Sequence, residues 1–460
     1  MSGPPKRLTM EELDRLCRNR QAAGAAMPGY VGPLARHVKA GDRRLLRLRY
    51  DDSPAALRLW SFLLTEEERL HEARAAGKKI VGTMKDLGTV PVMAYALPNL
   101  VAFYPDGAWW TPCVMELSEG LFGIAQSLGL GDAFCPVRAM AGAFVNGAHF
   151  PIPDLLTCSV GATCDDFSAI AQRVESLGHP ILWWEVPSRR RPDPGEPAVV
   201  LPGGFEAPAS QVALVRSELE RLRAALAELA GLPLGEAELA AGIREANRVR
   251  TILDELRRLA YMAEPCPMPA LEMLIAEMLA IHFCSDRSES KAVLSELVDE
   301  VRRRTARHEG VSAEGAARLF WVNPVADLRV MNLVEDCGAR LCGTEYLFCH
   351  ALDRIPEDLP PMEALARMAL ADPMVGPSAD RARRIIEDVR AFGAEGIVIS
   401  RIPGASHCAL EGAVIGRAVQ DELGLPVVEL EVPPLADSMW PNLKTRLEAL
   451  VETVLAGRVR

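Results

Sequence analysis

Apolar, β-branched runs recur along the chain at intervals that suit short buried strands separated by helices. In the first half, Ile80–Met84, Val90–Ala96, Leu155–Val160 and Ile181–Val186 are expected to be strands, and a helical pattern over Phe167–Leu177 joins the last two. Strand, helix and strand at this spacing make a crossover unit and imply a parallel sheet. The Pro/Gly/Arg-rich stretch Ser188–Ala209 breaks the pattern and reads as a domain boundary. From Gln211 to His308 the chain is rich in Leu, Ala, Glu and Arg with helical periodicity, broken sharply only at Cys266–Pro269, which predicts a helical connector or lid.

Strands and helices then alternate again. Leu319–Val322, Arg340–Gly343, Gly396–Ile402 and Val427–Val432 read as strands, and Val325–Glu335, Ala409–Leu423 and Trp440–Leu455 as helices. The halves share a grammar. LLTCSVGATCDDFSAIAQRVESLGHPILWWEVP and GIVISRIPGASHCALEGAVIGRAVQDELGLPVVELEVP each run strand, cysteine-bearing loop, helix, Gly-x-Pro turn and a strand ending Glu-Val-Pro, which suggests an internal repeat. The expected architecture is α/β: an N-terminal helical segment at 1–75, a first parallel-sheet domain at 76–208, a helical insert at 209–312 and a second parallel-sheet domain at 313–460.

Composition narrows the function classes. The 460 residues are 49% apolar and 25% charged, the composition of a globular chain with two or three domains. The net charge of −11 argues against a broad nucleic-acid-binding surface. The basic runs Arg43–Arg49, Arg189–Arg191 and Arg302–Arg304 read as solvated helix ends or loops, and Arg189–Arg191 could also touch an anionic substrate. The start, MSGPPKRLTM, lacks the apolar core of a secretion signal. The apolar stretch Met93–Tyr104 is short and interrupted by Pro98, so the expectation is a cytoplasmic protein without a membrane span.

In a reducing compartment the 11 cysteines are expected to be buried thiols, metal ligands or nucleophiles rather than disulfides. Cys164 and Cys408 both fall just after a strand and just before a helix, where open parallel sheets bind ligands and where helix N–H groups favour a thiolate. Cys135 also precedes a helical run, with Pro136 as its first helical residue. Three thiolates from three loop–helix junctions could meet at one [4Fe–4S] cluster whose fourth iron stays open or takes a non-protein ligand. Zinc fits less well, since CxxC pairs and Cys/His finger spacings are missing.

Cys349 could be a fourth ligand and Cys113 a fifth, with simple burial the competing reading for each. For Cys337, Cys342, Cys158, Cys284 and Cys17 packing is the default, and Cys266, between two prolines, stays open. The sequence contains no GxxxxGK[ST], no GxGxxG after a strand and no GxSxG elbow. Asp165, Asp166 and Glu185 could assist proton transfer, although loop acids that cap a helix are commoner.

The segment FCPVRAMAGAFVNGAHFPIPDLLTCSVGATCDDFSAIAQRVESLGHPILWWEVP resembles the N-terminal core of 2-hydroxyacyl-CoA dehydratase and benzoyl-CoA reductase subunits. The family's Cys-x-x-Arg segment, Pro-Asp strand and cysteine loop before a helix correspond to Cys135–Arg138, Pro153–Asp154 and Thr163–Asp165. From Gly396 through PNLKTRLEALVE the chain is similar to the family's C-terminal half, with its closing Thr-Arg-x-Glu-Ala helix at Thr445–Ala449. The resemblance covers residues 78–187 and 316–457.

It implies two flavodoxin-like cluster domains, often in a hetero- or homodimer of related subunits, with [4Fe–4S] ligands at Cys135, Cys164 and Cys408. Cys349 and Cys113 are the extra thiols available for a double-cubane [8Fe–9S] form. It further implies an ATP-hydrolysing activator that injects a low-potential electron, and an acyl-CoA substrate that is dehydrated or reduced in anaerobic metabolism. Alternatives are a double-cubane reductase of small molecules and a cluster-free partner or scaffold subunit. Two departures stand out: Val322-Asn323-Pro324 replaces a Gly-Cys-Pro, and Lys85 stands where an early cysteine near Gly82–Thr83 is missing.

Overall fold

A computed structural model describes residues 47–86, 88–107, 118–147, 149–162, 164–280, 285–347, 351–434 and 436–458, with isolated positions between 7 and 22. Helix α1 (Pro54–Leu64) precedes the first sheet, capped by the Ser53 hydroxyl, which accepts from Ala56 N at 3.2 Å. Then follow β1 (Lys79–Met84), α2 (Val90–Tyr95), β2 (Leu100–Phe103), α3 (Ala139–Asn146), β3 (Leu155–Gly161), α4 (Asp165–Ser176) and β4 (Ile181–Val186). The four strands are parallel in the order β2-β1-β3-β4.

The helical insert comprises α5 (Ala209–Ala230), α6 (Glu236–Met262), α7 (Ala270–Met278) and α8 (Arg287–Ala306). Beyond it lie β5 (Ala317–Val322), α9 (Arg329–Asp336), β6 (Ala339–Glu345), α10 (Pro361–Leu370), α11 (Ser378–Phe392), β7 (Gly396–Arg401), α12 (Ser406–Leu423), β8 (Val427–Glu431) and α13 (Trp440–Gly457). The second sheet is also parallel, in the order β6-β5-β7-β8. Both sheets thus have the order second-first-third-fourth, the flavodoxin-like arrangement. Each has its switch point between its first and third strands.

One run fooled the hydrophobic pattern. Val90–Ala96 was expected as a strand, and Val90–Tyr95 is a helix. The Asp86 carboxylate accepts from Thr89 N at 2.8 Å and from Val90 N at 2.7 Å, and Pro91 occupies the first turn. Val90, Pro91, Val92, Met93 and Ala94 are all buried, so the helix has no polar face to reveal its period. The neighbouring strand is instead the short run Leu100–Phe103. In the second half, the helix expected from Val325 starts at Arg329, where the Asp327 carboxylate accepts from Arg329 N at 3.1 Å.

The insert is built into both sheets' surroundings. Helix α6 spans 27 residues, about 40 Å at 1.5 Å per residue. Near its start, a β-carbon on Gly242 would lie 2.6 Å from the carbonyl oxygen of Val92 in α2, so the two backbones meet there. Further along, Asn247 and Ile355 exchange two hydrogen bonds (2.9 and 2.8 Å), and Arg250 donates to the Asp353 carbonyl at 2.6 Å. Arg257 binds Glu277 at 2.7 Å and Thr344 of β6 at 2.9 Å, while Tyr261 and Thr344 donate to Glu277 at 2.6 Å each. Helix α10, from the second half of the chain, packs with α5 in the core that also covers Val81 and Ala102 of the first sheet.

Two arginines of the basic runs are not solvated. Arg304 makes a bidentate pair with buried Asp51 (2.6 and 2.9 Å). Arg189 lies under the surface between Asp380 (3.2 Å), the Leu370 carbonyl (3.2 Å) and the ring of Phe205. Each guanidinium is buried and paired with a carboxylate of the protein, which removes Arg189 as a contact for an anionic substrate.

Candidate functional site

The carboxyl ends of the two sheets carry the candidate chemistry. Cys164 is the residue that enters α4 immediately after β3. It is buried, and burial pushes its thiol above the ordinary value. The N–H groups of Phe167 and Asp166, at the helix start, and the Lys85 ammonium oppose that rise, whereas the Asp166 charge adds to it. Strand β3 reaches this junction through Gly161, whose φ of 109° and contact with the Val186 carbonyl oxygen leave no room for a side chain.

Cys135 precedes the single turn Pro136–Arg138 and is half-buried. Arg138 fixes that turn. Its guanidinium donates to the Phe134 carbonyl and to Asp132, both at 2.7 Å, and stacks over Phe122. Cys408 lies in the first turn of α12, after β7; its side chain is outside the described residues.

These three junctions are neighbours. The turn before Cys135 packs on Gly404, four residues ahead of Cys408: a β-carbon there would lie 2.6 Å from the Phe134 carbonyl oxygen and 2.8 Å from that of Asp132. The Pro136–Arg138 turn touches α4, which Cys164 enters, and α4 touches α12. Backbone from both halves of the chain therefore brings the elements that carry Cys135, Cys164 and Cys408 into contact. Cys349, Cys113, Cys284 and Cys17 lie outside the described residues. Among the described residues, no three His, Cys, Asp or Glu side chains group closely enough to hold a metal ion.

The remaining described cysteines are core residues. Cys158 and Cys342 point at the carbonyls of Ser159 (3.3 Å) and Leu319 (3.4 Å), and burial raises both thiols to about 12. Cys266 is buried against the Met268 carbonyl at 3.2 Å, and Cys337 is half-buried with its thiol raised to about 11 by the same cause.

At the first switch point, Lys85 follows β1 in the left-handed region (φ 54°) with its side chain buried and its Nζ 3.2 Å from Ser168 Oγ. Burial lowers its pKa, opposed by Cys164, Cys158, Asp165 and Asp372. Burial raises Asp86 to about 6 and Asp106 and Asp372 to about 7. The corresponding place in the second sheet is filled differently. Asn323 (φ 70°) donates to the Ser400 carbonyl at 2.9 Å, and Arg381 binds Asn323, Glu345 and Glu411. Sequence reasoning noted Lys85 and Asn323 only as departures and missed Arg381 and Glu345, whose partners are distant in sequence.

The family model for 2-hydroxyglutaryl-CoA dehydratase, D-component, matches residues 94–454, which is most of the chain. The chain belongs to this D-component family. Membership makes it kin to components of dehydratase enzyme systems, and the match includes Cys135, Cys164 and Cys408 but begins beyond Lys85. No curated protein matches the chain. No helix among the described residues is long and apolar enough to cross a membrane.

Proposed function

We propose that this D-component family member is the iron–sulfur subunit of a 2-hydroxyacyl-CoA dehydratase-type system, with Cys135, Cys164 and Cys408 as the cluster ligands. The observation that carries this reading is the approach of three cysteine-bearing loop–helix junctions across the two sheets. The surroundings of Cys164 fit the group. Cys164 has two helix N–H groups aimed at its sulfur and a buried ammonium nearby, the surroundings that favour a bound thiolate. When bound, a [4Fe–4S] cluster supplies one-electron transfer at low potential. The chain's own residues would hold the thiolates, keep water out at the buried Cys164 and place proton-carrying acids such as Asp372 nearby.

The partners in this reading are an acyl-CoA substrate, a related subunit in a hetero- or homodimer, and an ATP-hydrolysing activator, in a cytoplasmic anaerobic setting. A single cluster is favoured over a double cubane because Lys85 and Asn323 occupy the places of the additional cysteines. Anaerobic purification with iron and sulfide analysis and electron paramagnetic resonance is the test. About four irons per chain are expected, lost in Cys135→Ser, Cys164→Ser and Cys408→Ser and kept in Cys337→Ser. A chain that stays iron-free after reconstitution would instead be a scaffold subunit, and about eight irons would make it a double-cubane reductase.

A further inference from the structure

In a parallel sheet the carboxyl ends of the strands open onto a crevice, and the two sheets fill the position just after their first strand differently. In the second, the Arg381 guanidinium spends its donors on Glu345 (3.1 Å), Glu411 (2.7 Å) and Asn323, so the cation there is paired within the protein. In the first sheet, the residue that stands where the second has Asn323 is Lys85. Its backbone is pinned in a conformation that L residues rarely adopt, with the Ser159 hydroxyl donating to the Lys85 carbonyl. The side chain is buried, and its hydrogen-bond partner is a neutral hydroxyl, that of Ser168. Among the described residues no carboxylate lies within ion-pair distance of its Nζ; Asp165 and Asp372 act on it from farther away. The nearer acid in sequence, Asp86, is committed to the N–H groups of Thr89 and Val90.

A buried ammonium without an adjacent counter-ion is costly unless something anionic joins it. The N–H groups at the α4 N-terminus serve the Cys164 sulfur, so the donor left for an anion is Lys85 itself, with the helix dipole adding positive potential on the same side. We propose that Lys85 makes the Cys164 end of the first crevice an acceptor for a small oxyanion of the carboxylate class, the group by which a ligand is seated beside the cysteines. The site takes its place within the iron–sulfur reading, but its chemistry belongs to the chain alone.

The test uses the full-length chain stripped of metal and two alkylating reagents that differ in charge. Cys164 is labelled with iodoacetate or iodoacetamide, and each rate is read by mass spectrometry of the Cys164 peptide. The native chain should show an iodoacetate-to-iodoacetamide rate ratio several-fold above that of the same cysteine in the urea-unfolded chain. Lys85→Met should bring the ratio down to the unfolded value, and Lys85→Arg should keep most of it. A native wild-type ratio no higher than the unfolded one overturns the proposal without recourse to any variant. So does a ratio indifferent to Lys85→Met, or a native Cys164 that neither reagent reaches. Iron analysis is independent: an iron-free chain with a raised ratio fails as a cluster subunit and keeps its oxyanion site.

Discussion

Gly404 lies against the carbonyl oxygen of Phe134 so closely that a β-carbon on the glycine would stand 2.6 Å from it. Its φ of 81° is also one that L side chains rarely adopt. Backbone contact of this kind locks the Cys135 turn to the loop ahead of Cys408. Gly404→Ala is therefore expected to cost about 2–4 kcal/mol, the sum of left-handed strain and overpacking. Urea unfolding measures it, with Gly123→Ala, where a β-carbon meets nothing within 4 Å, as the control. If the two variants unfold alike, the two loops are not locked together.

Arg138 reaches the same turn from inside. Removing its guanidinium leaves the Phe134 carbonyl without a charged donor and frees Asp132. Arg138→Ala should destabilise the chain by about 1–3 kcal/mol and lower the iron retained after reconstitution. Arg138→Lys should behave like the alanine variant, since one ammonium cannot serve both acceptors in the fork geometry. Full iron retention in Arg138→Ala would show that the turn holds without its staple.

The second crevice makes a prediction about stability alone. Arg381 and Glu345 are both almost wholly buried, and Glu345 Oε1 has no hydrogen-bond partner among the described residues. Arg381→Met strands that carboxylate and should cost about 3–5 kcal/mol. Adding Glu345→Gln removes the stranded charge, so the double variant is expected to regain part of the loss. A strictly additive double-variant cycle would rule out the coupling.

Asp372 governs a pH dependence whose sign follows from burial. Its carboxyl is raised to about 7 although Met374 N donates to it at 2.7 Å and Arg189 attracts it. The folded value lies above the unfolded one, so the folded chain binds more protons between about pH 4 and 7. Its contribution to stability is complete below that window, falls as the pH rises through it and levels off above. Asp86, at about 6, and Asp106, at about 7, act in the same direction. Asp372→Asn should gain roughly 1–3 kcal/mol relative to wild type on going from pH 5 to pH 8. Chemical denaturation at the two pH values decides it, and a constant difference would be the contrary result.

Much of this architecture was legible because parallel strands buried on both faces read as continuous apolar runs. β1, β3 and β7 fall where such runs do, and the loops of Cys164 and Cys408 follow the ends of β3 and β7. The same rule misfired at Val90–Tyr95, since a short helix buried all round also reads as an apolar run, and its capping acid Asp86 lies outside that run. Arg189 and Arg304 looked like members of solvated basic clusters, because their counter-ions Asp380 and Asp51 lie 191 and 253 residues away. The cysteine positions were readable locally, as strand–loop–helix punctuation. Their approach was not, because it depends on a glycine from one half of the chain accepting the backbone of the other.

Helix α6 bears on how the site can work. One end abuts α2 beside the first sheet, and the other is tied by Arg257 to the last residues of β6. A strut anchored at both ends sets the spacing of the two sheets before anything binds between them. Ligand capture is then a matter of local loop adjustment, with no hinge closing like a jaw. The amide protons of α6 should accordingly be among the slowest in the chain to exchange, whether the site is filled or empty.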